Sequence, residues 1–439
     1  MPSATAYQPL DSDLTAIAAL STTAYGRALL ELADAAALRT TGGLVIGTNV
    51  QAYDAELAAL AGLTSAADKV PYFTGSGTAA LLDTASLAAA MGNLCWNGNF
   101  DVWQVNTTFA AIANNTYFAD SWRWAEVGDS VHTVSRSTDV PTVAQSGAFS
   151  SYSLLVDCTT VDSSVAAGDL AGFVFGVEGY DFKAIAQQAF TLSFWVKATK
   201  TGIYCVGMRN SGADRSYVAE YTVNATDTWE KKTITVSASP SAGTWDYTTG
   251  RGLQFFFLLM AGTTGHTTAG AWQTGNFYAT SNQVNACDST ANNFYLAQVK
   301  VEKGSVATPF VPLPFDLALA KARRYYETSY DYGVAVPTGS VEAVSKVVPS
   351  NTVASGQPYG TVQFAAAKRA TPTVTVYPYT TVSNTSVVSN NSGTDLAAGS
   401  GTPGRVTTTG FGVTNASGGS VTTTALNVIF NWVADIRFT

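Results

Sequence analysis

The sequence contains few charged residues and almost no histidine. Charged side chains account for 12% of its 439 residues, and only two histidines are present. The net charge of −8 is thinly spread, and no basic run supplies the clustered positive charge that nucleic-acid binding requires. We therefore expect no nucleic-acid partner.

Apolar runs long enough to cross a membrane are also lacking. A transmembrane helix takes about 20 apolar residues, whereas the longest apolar run, residues 253–261, has the length of a buried strand. The polar N-terminal residues do not resemble a secretion signal. We expect a protein that is made in a cytoplasm and does not insert into a membrane.

Cysteine is scarce, and its spacing fits neither a metal site nor a dense disulfide framework. We expect no disulfide, no metal and no other cofactor, and we expect Cys158 and Cys205, which lie in apolar strand-like sequence, to be buried thiols. The four cysteines are Cys95, Cys158, Cys205 and Cys287.

Groups that could perform catalysis are few. His132 lies in alternating, strand-like sequence, His266 lies in a Gly/Thr loop, and no serine or cysteine has the context of a nucleophile. A glycosidase needs two carboxylates, and Glu178, Asp181 and Glu220 are candidates by position only. We predict that the protein is not an enzyme.

The first 92 residues are rich in alanine and leucine and contain an internal repeat. Residues 10–20 align with residues 53–63 at a constant offset of 43. Similar second blocks follow at residues 28–31 and 79–83. The helical spacing predicts helices too short to be stable alone. Either the same helices of two further copies cover their apolar stripes, which we favour, or the chain's own β domain does.

Beyond residue 92 the sequence becomes a series of short alternating segments separated by turn residues. We interpret residues 93–104 as the first strand and turn of a large β domain. Eight to ten strands would form a jelly roll of two packed sheets. The clearest predicted strands are residues 153–157, 190–197, 203–209, 217–223, 231–236, 253–260 and 294–301.

A short helix at residues 313–326, which Asp316 can cap, leads into a second β region with a polar loop at residues 383–405. Its predicted strands are residues 361–364, 373–377, 410–413 and 426–434. The predicted fold is mainly β. Its parts are an N-terminal helical repeat (1–92), a jelly-roll β-sandwich (93–315), a linker helix (316–331) and a small C-terminal β-sandwich (332–439).

Two loops place aromatic residues among small polar ones, a pattern typical of sugar binding. A ring stacks on the apolar face of a sugar while amides and carboxylates take its hydroxyls. The candidate rings are Trp245, Tyr247, Trp272 and Tyr278, although each could instead fold back onto the core. Asn390 and Asn391, in the polar C-terminal loop, form a second candidate surface.

One motif resembles a known family. Residues 93–104 read Asn-Leu-x-x-Asn-Gly-x-Phe-x-x-Trp-Gln, and residues 119–122 read Ala-Asp-x-Trp. This pattern resembles the opening of the jelly-roll domain of bacteriophage tail fibre proteins, which is itself similar to carbohydrate-binding modules. Residues 295–310, 317–326 and 430–438 resemble its last strand, the helix that follows, and the final strand of many fibre tips.

The resemblance implies a virion protein of the phage tail that forms a homotrimer. Its N-terminal region would attach to phage tail or baseplate proteins, and its β domains would bind a host cell-surface glycan or protein. Such jelly rolls commonly hold a structural calcium. Asp101 matches the first ligand, but Ala297 and Gln298 stand where an acid pair is expected, so we predict no metal.

Three other functions remain open at this level. A structural tail spacer would share the fold but lack a receptor site. A polysaccharide depolymerase would use paired carboxylates. A bacterial surface carbohydrate-binding module would need a secretion signal.

Overall fold

The computed structural model describes residues 12–19, 23–44, 53–64, 69–83, 92–339, 344–348 and 350–438. The chain divides into two compact units, Met1–Thr84 and Ala85–Thr439. The fold is mainly β, as the sequence predicts. Within the described ranges, no helix is both long and apolar enough to span a membrane.

The first unit consists of short helices and one β-hairpin. Helices α1 and α4 begin 43 residues apart, at Ser12 and Ala55, as the repeat predicts. Asp54 caps α4 by accepting a hydrogen bond from the Leu57 amide at 2.9 Å. The elements are α1 (Ser12–Ala19), α2 (Ala24–Leu30), α3 (Ala35–Thr41), α4 (Ala55–Ala61), β1 (Lys69–Gly75) and β2 (Thr78–Asp83).

The second half of the repeat differs from the prediction. The first block lies at the end of α2, but its counterpart forms strand β2, which pairs with β1. Residues of high β-propensity, such as Tyr72 and Phe73, stand opposite Ala80 and Ala79 in this hairpin. A β partner supplied by the inserted residues therefore overrides the helical propensity of the alanines and leucines.

The second unit begins with a sandwich of two six-stranded antiparallel sheets. The front sheet has the order β13-β10-β9-β12-β7-β4, and the back sheet has the order β11-β8-β14-β6-β5-β3. The strands are β3 (Thr108–Phe109), β4 (Trp122–Val127), β5 (Val131–Ser137), β6 (Ser153–Thr160), β7 (Leu170–Glu178), β8 (Phe190–Ala198), β9 (Gly202–Asn210), β10 (Arg215–Val223), β11 (Glu230–Val236), β12 (Arg251–Ala261), β13 (Trp272–Thr274) and β14 (Asn293–Lys303). Two single helical turns, α5 (Val143–Ser146) and α6 (Gly179–Phe182), and a 3-10 turn (Thr263–Gly265) complete it.

The predicted strands are confirmed, and the described residues form twelve strands where the sequence indicated eight to ten. Residues 93–104, however, form turns and not a first strand. The Asn97 side chain bonds both the N–H and the C=O of Val102, at 3.1 and 3.0 Å. These bonds replace ladder partners, and Phe100 adopts a left-handed φ of 55°, outside the range of regular strand backbone.

Helix α7 (Phe315–Arg323) connects the sandwich to the C-terminal module. Its N-cap is Pro314, without a side-chain cap bond, so the prediction that Asp316 caps the helix is wrong. Asp316 lies instead in the first turn, where its charge suits the helix dipole. The helix ends at Arg323, and strand β15 soon follows.

The C-terminal module is organised around its last strand, β24, which pairs with β15, β16, β19 and β20. The predicted loop at residues 383–405 contains two short strands and the buried Val387 and Val388. The strands are β15 (Tyr326–Thr328), β16 (Val344–Val347), β17 (Thr352–Val353), β18 (Pro358–Gln363), β19 (Thr373–Pro378), β20 (Ser389–Asn390), β21 (Thr402–Gly404), β22 (Gly410–Thr414), β23 (Val421–Thr422) and β24 (Asn427–Asp435).

A buried carboxyl near the start of the sandwich makes stability depend on pH. Gln104 donates to Asp120 from its amide nitrogen at 2.9 Å and from Nε2 at 2.8 Å. Burial nevertheless raises the pKa of Asp120 from 3.8 to about 6. Between pH 3.8 and about pH 6, Asp120 keeps its proton in the folded state but has released it in the unfolded state. The free energy of unfolding therefore falls as the pH rises through this range.

We expect the free energy of unfolding of the wild type, relative to Asp120→Asn, to fall by about 2–3 kcal/mol between pH 4 and pH 7. The asparagine variant does not titrate, so it cancels the contributions of other groups. Urea unfolding at several pH values measures this difference. If the difference in free energy of unfolding between the two proteins did not change with pH, Asp120 would be ionised in both the folded and the unfolded state over this range.

Candidate functional site: a cleft between the sandwich and the C-terminal module

A cleft with a volume of about 760 Å³ lies where the jelly-roll sandwich meets the C-terminal module. We call it the junction cleft. Its size is within the range of small-molecule sites, which often lie between domains. The lining residues are Val105, Phe109, Asn115, Thr116, Tyr117, Arg123, Tyr326, Val336, Pro337, Thr373, Thr375, Tyr377, Val433, Asp435, Ile436, Arg437 and Phe438.

Strand β19 forms one wall because its side chains alternate between the two faces of the strand. Thr373, Thr375 and Tyr377 line the cleft, while Val374 and Val376 pack in the module's own core. Burial raises the pKa of Tyr377, partly opposed by a hydrogen bond with the Thr375 side chain. The wall therefore presents two hydroxyls and a neutral phenol ring.

Arg437 holds the inner end of the cleft together. Its guanidinium lies 4.6 Å from the ring centre of Tyr117 and 4.3 Å from that of Tyr326. It also forms an ion pair with Asp435, with 3.0 Å between Nε and Oδ1. Both cation–π contacts and the ion pair restrict the side chains at this end, so the cleft is preorganised.

The opposite wall comes from the sandwich. Tyr117 donates its hydroxyl to the Phe438 carbonyl at 2.7 Å, and burial raises the pKa of Tyr117, which keeps the phenol neutral. Arg123, opposite Tyr117 in an isolated β-bridge, donates to the Asn115 side-chain oxygen. The remaining guanidinium donors of Arg123 can face a ligand.

Together, these side chains provide the kinds of contact that a sugar requires. Tyrosine rings offer apolar faces, while hydroxyl, guanidinium, amide and carboxylate groups offer hydrogen bonds in several directions. Asp435 is the carboxylate among the lining residues, and Arg437 is its partner. The cleft is therefore chemically suited to binding a glycan.

Three of the aromatic residues predicted for sugar binding do come together. Trp245 stacks on Phe182 at 5.2 Å and meets Trp272 edge-on at 5.6 Å, and Tyr247 stacks on the same phenylalanine at 5.9 Å. All three are half-buried and pack against the main core. The Trp245 and Trp272 indole N–H groups donate to the carbonyls of Ala242 and Ser237.

Tyr278 lies elsewhere, on the outer face of the front sheet. Its ring stacks on Phe256 at 5.9 Å, and its Cα and Cβ lie over Gly207, where an added Cβ would be 2.4 and 2.6 Å from them. The absence of a side chain at Gly207 therefore leaves room for Tyr278. The four rings do not form one surface.

Asn390 ends β20, and Asn391 begins the turn that follows. The Asn390 side-chain oxygen accepts from the amides of Ser392 and Thr394, each at 3.0 Å, so it shapes the turn. Asn391 is exposed and accepts a hydrogen bond from the Asn427 side chain at 3.2 Å. Neither residue lines the junction cleft.

The region where the family resemblance implies calcium is occupied by an amide. Gln298 Nε2 donates to Ser150 Oγ at 2.9 Å, to Ser146 Oγ at 3.0 Å and to the Ala148 carbonyl at 3.3 Å. Asp101 accepts from Asn99 at 2.9 Å. Among the described residues, no three His, Cys, Asp or Glu side chains are arranged to hold a metal ion.

One buried group that the sequence analysis did not identify resembles a catalytic triad. Cys287 Sγ lies 3.4 Å from His132 Nε2, and His132 Nδ1 lies 3.0 Å from Glu126 Oε1. Cys287 and His132 are both fully buried, and burial raises the pKa of the Cys287 thiol. Without access or a thiolate, this group is a packing and hydrogen-bonding feature of the core.

Sequence reasoning did not select the residues of the junction cleft. The alternation of threonine, valine and tyrosine in residues 373–377 does indicate a strand with one polar face. Such a face can line a binding site where two modules meet. Tyr117 and Arg123 carried no such signal. Their role depends on a contact with residues more than 300 positions away.

No protein-family model and no curated protein matches the chain. Several solved carbohydrate-binding modules have a similar structure. One, in complex with β-1,4-galactotriose, has a TM-score of 0.25 and 8% identity, over 48% of this chain and 99% of its own. A family 4 module has a TM-score of 0.24 and 14% identity, over 47% and 98%. A family 22 module from Clostridium thermocellum has a TM-score of 0.24 and 15% identity, over 45% and 99%. At these TM-scores the function has to be inferred from the side chains themselves.

Proposed function

We propose that this protein is a non-catalytic adhesin that binds a cell-surface glycan in the junction cleft. The observation that carries this proposal is the composition of the cleft, where tyrosine rings stand beside hydroxyls, a guanidinium, an amide and a carboxylate. Tyr377 is the central residue, because its half-buried ring and its hydroxyl can contact a sugar face and rim together.

Tyr377→Ala is expected to weaken glycan binding at least tenfold, or about 1.4 kcal/mol. The substitution removes a ring and a hydroxyl from the wall while leaving the buried valines of β19 in place. A printed array of bacterial polysaccharides would identify binding glycans, and titration calorimetry would then compare the two proteins.

Trp245→Ala serves as the matched control, because it removes an aromatic residue from the other candidate region. Its affinity should stay within twofold of the wild type once folding has been verified by circular dichroism. Unchanged affinity of Tyr377→Ala together with a loss in Trp245→Ala would move the site to the aromatic loops. Absence of binding to any array glycan would contradict the function itself.

We further propose that the adhesin is a phage tail fibre protein, assembled as a homotrimer and attached to the phage tail or baseplate through its N-terminal region. The family resemblance of the sequence supports this assignment. So does the exposure of the first unit: none of its described side chains is buried, and Leu38, Leu57 and Phe73 are each more than 40% exposed. Such a unit needs partners to cover its apolar side chains. Three linked sites would multiply weak contacts with a cell surface.

Light scattering is expected to give three times the 45.8 kDa chain mass for the intact protein. A protein that starts at Asn93 retains the sandwich and the C-terminal module and should be monomeric. A trimer that survives this truncation would place the interface in the β modules. A monomer in both cases would contradict the fibre assignment.

A further inference from the structure

Three arginines lie on the outer face of the front sheet, on the side away from the main core. Arg209 lies 4.8 Å from the ring centre of Phe256, which belongs to a separate small outer cluster. Arg123 stands opposite Val174, another member of that cluster, in the β4–β7 ladder. The Cδ atom of Arg251 lies 3.9 Å from the Cβ position of Gly176, two residues along β7 from Val174 and therefore on the same face. We call these three residues the arginine face.

None of the three guanidinium groups forms an ion pair within the part of the chain that the structure describes. Neutral amides hold Arg209: Gln254 Oε1 accepts at 2.8 Å and Asn276 Oδ1 at 2.9 Å. Arg123 donates to Asn115. The Arg251 guanidinium donates no hydrogen bond within the described ranges. Arginine side chains that are partly removed from water are normally paired with carboxylates. In the described part of the chain, no carboxylate balances the charge of these three.

Two acids near this face are already engaged. Glu178 stands opposite Arg251 in the β7–β12 ladder, but its carboxylate accepts from Arg324 at 2.5 and 2.8 Å and from the Tyr325 hydroxyl at 2.6 Å. Asp435 is bound to Arg437. In a chain with a net charge of −8, this face remains positive.

Mutual repulsion among the arginines is visible in their pKa values. Burial, followed by the charges of Arg251 and Arg123, lowers the pKa of Arg209 to about 10. Burial and the charges of Arg123 and Arg369 lower the pKa of Arg251 as well. An anion placed between these groups would relieve both the repulsion and the missing hydrogen bonds.

We propose that the arginine face binds the acidic groups of the glycan that occupies the junction cleft, so that the preferred glycan is an anionic polysaccharide. Arg123 belongs to both surfaces, which makes them continuous. This inference rests on the proposed function, and it names carboxylate or phosphate groups as the feature recognised. Guanidinium groups bind both in a bidentate manner.

The test uses the full chain on an array where each acidic polysaccharide is printed beside its carboxyl-reduced and its dephosphorylated form. The wild type should bind an acidic polysaccharide at least tenfold more strongly than one of its neutralised forms. Weak binding to the carboxyl-reduced form would show that carboxylates are recognised, and weak binding to the dephosphorylated form would show that phosphates are. Arg251→Gln should lose at least tenfold, and Arg251→Lys, which keeps the charge but not the bidentate geometry, should lose less. Lys231→Gln, on the exposed edge strand β11 of the back sheet, should bind as the wild type does.

The melting temperature separates binding from folding. Arg251→Gln removes a repelling charge and no hydrogen bond, so it should melt no lower than the wild type. Equal binding of acidic and neutralised forms, with loss in Tyr377→Ala, would overturn the anionic inference and leave glycan binding intact. Equal binding by Arg251→Gln and the wild type to acidic polysaccharides would also overturn it. An array without bound glycans would contradict both proposals.

Discussion

Replacing Trp122 by alanine is expected to lower the free energy of unfolding by about 3–5 kcal/mol. The indole is completely buried, and it contacts the rings of Phe100, Phe173, Phe175 and Phe257 at centroid distances of 5.1–5.9 Å. Its Nε1 also donates to the Asn97 carbonyl at 3.1 Å. The substitution therefore leaves both a cavity and an acceptor without a partner.

Urea unfolding followed by far-ultraviolet circular dichroism would measure this loss. Phe149→Ala is the control, because that ring is 68% exposed and its removal should change stability by less than about 0.5 kcal/mol. Trp122→Phe should fall between the two. A loss below 1 kcal/mol in Trp122→Ala would contradict a core that is centred on this residue.

The second large effect is expected in the C-terminal module, where Glu327→Ala should cost about 3–5 kcal/mol. Lys368 Nζ is buried and donates to Glu327 Oε2 at 2.5 Å and to the carbonyls of Arg323 and Ala366 at 2.7 and 2.8 Å. Burial lowers the pKa of Lys368, and the Glu327 carboxylate opposes that shift. Removing the carboxylate leaves a buried cation without its counter-charge.

A second substitution distinguishes loss of charge balance from loss of packing. Lys368→Met in the Glu327→Ala background should recover at least half of the stability, because the unpaired charge is then absent. Asp288→Ala provides the surface comparison: its ion pair with Lys200 is about one-third exposed and should contribute less than about 1 kcal/mol. A double variant as unstable as Glu327→Ala would mean that packing, not charge, is lost.

The strands of the sandwich could be predicted because alternation and apolar runs reflect burial directly. Strand β12 is a continuous run, and both of its faces are buried, one against the main core and one under the outer cluster around Phe256. Residues 93–104 were mispredicted because asparagine side chains took over the hydrogen bonds of the backbone. A propensity scale assigns an asparagine to turns in general but does not identify which amides it will bind.

The candidate site was harder to predict than the fold. Trp245, Tyr247 and Trp272 were recognised as a group of loop aromatics, and the structure does assemble them, but against the edge of the core. The junction cleft joins β19 and β24 to a bridge between Tyr117 and Arg123, and no local pattern indicates that contact. Long-range sites of this kind follow from the packing of modules, which periodicity does not encode.

In the proposed function, the two surfaces would contribute different interactions to glycan recognition. The junction cleft offers rings and hydrogen-bonding groups, among them the paired Arg437 and Asp435, which select the shape of a sugar. The arginine face offers charge, which attracts an acidic polymer over a longer distance and loses strength as salt screens it. Attachment of three such chains at one point would convert modest single-site affinity into firm adhesion.

The most direct test of glycan binding in the junction cleft is hydroxyl-radical footprinting of the full chain with and without an array-selected polysaccharide. Bound glycan should reduce oxidation of Tyr377 severalfold, while Trp245 and Tyr247 should be oxidised at unchanged rates. Protection confined to Trp245, Tyr247 and Trp272, with Tyr377 unaffected, would contradict the assignment and place the glycan on the aromatic loops.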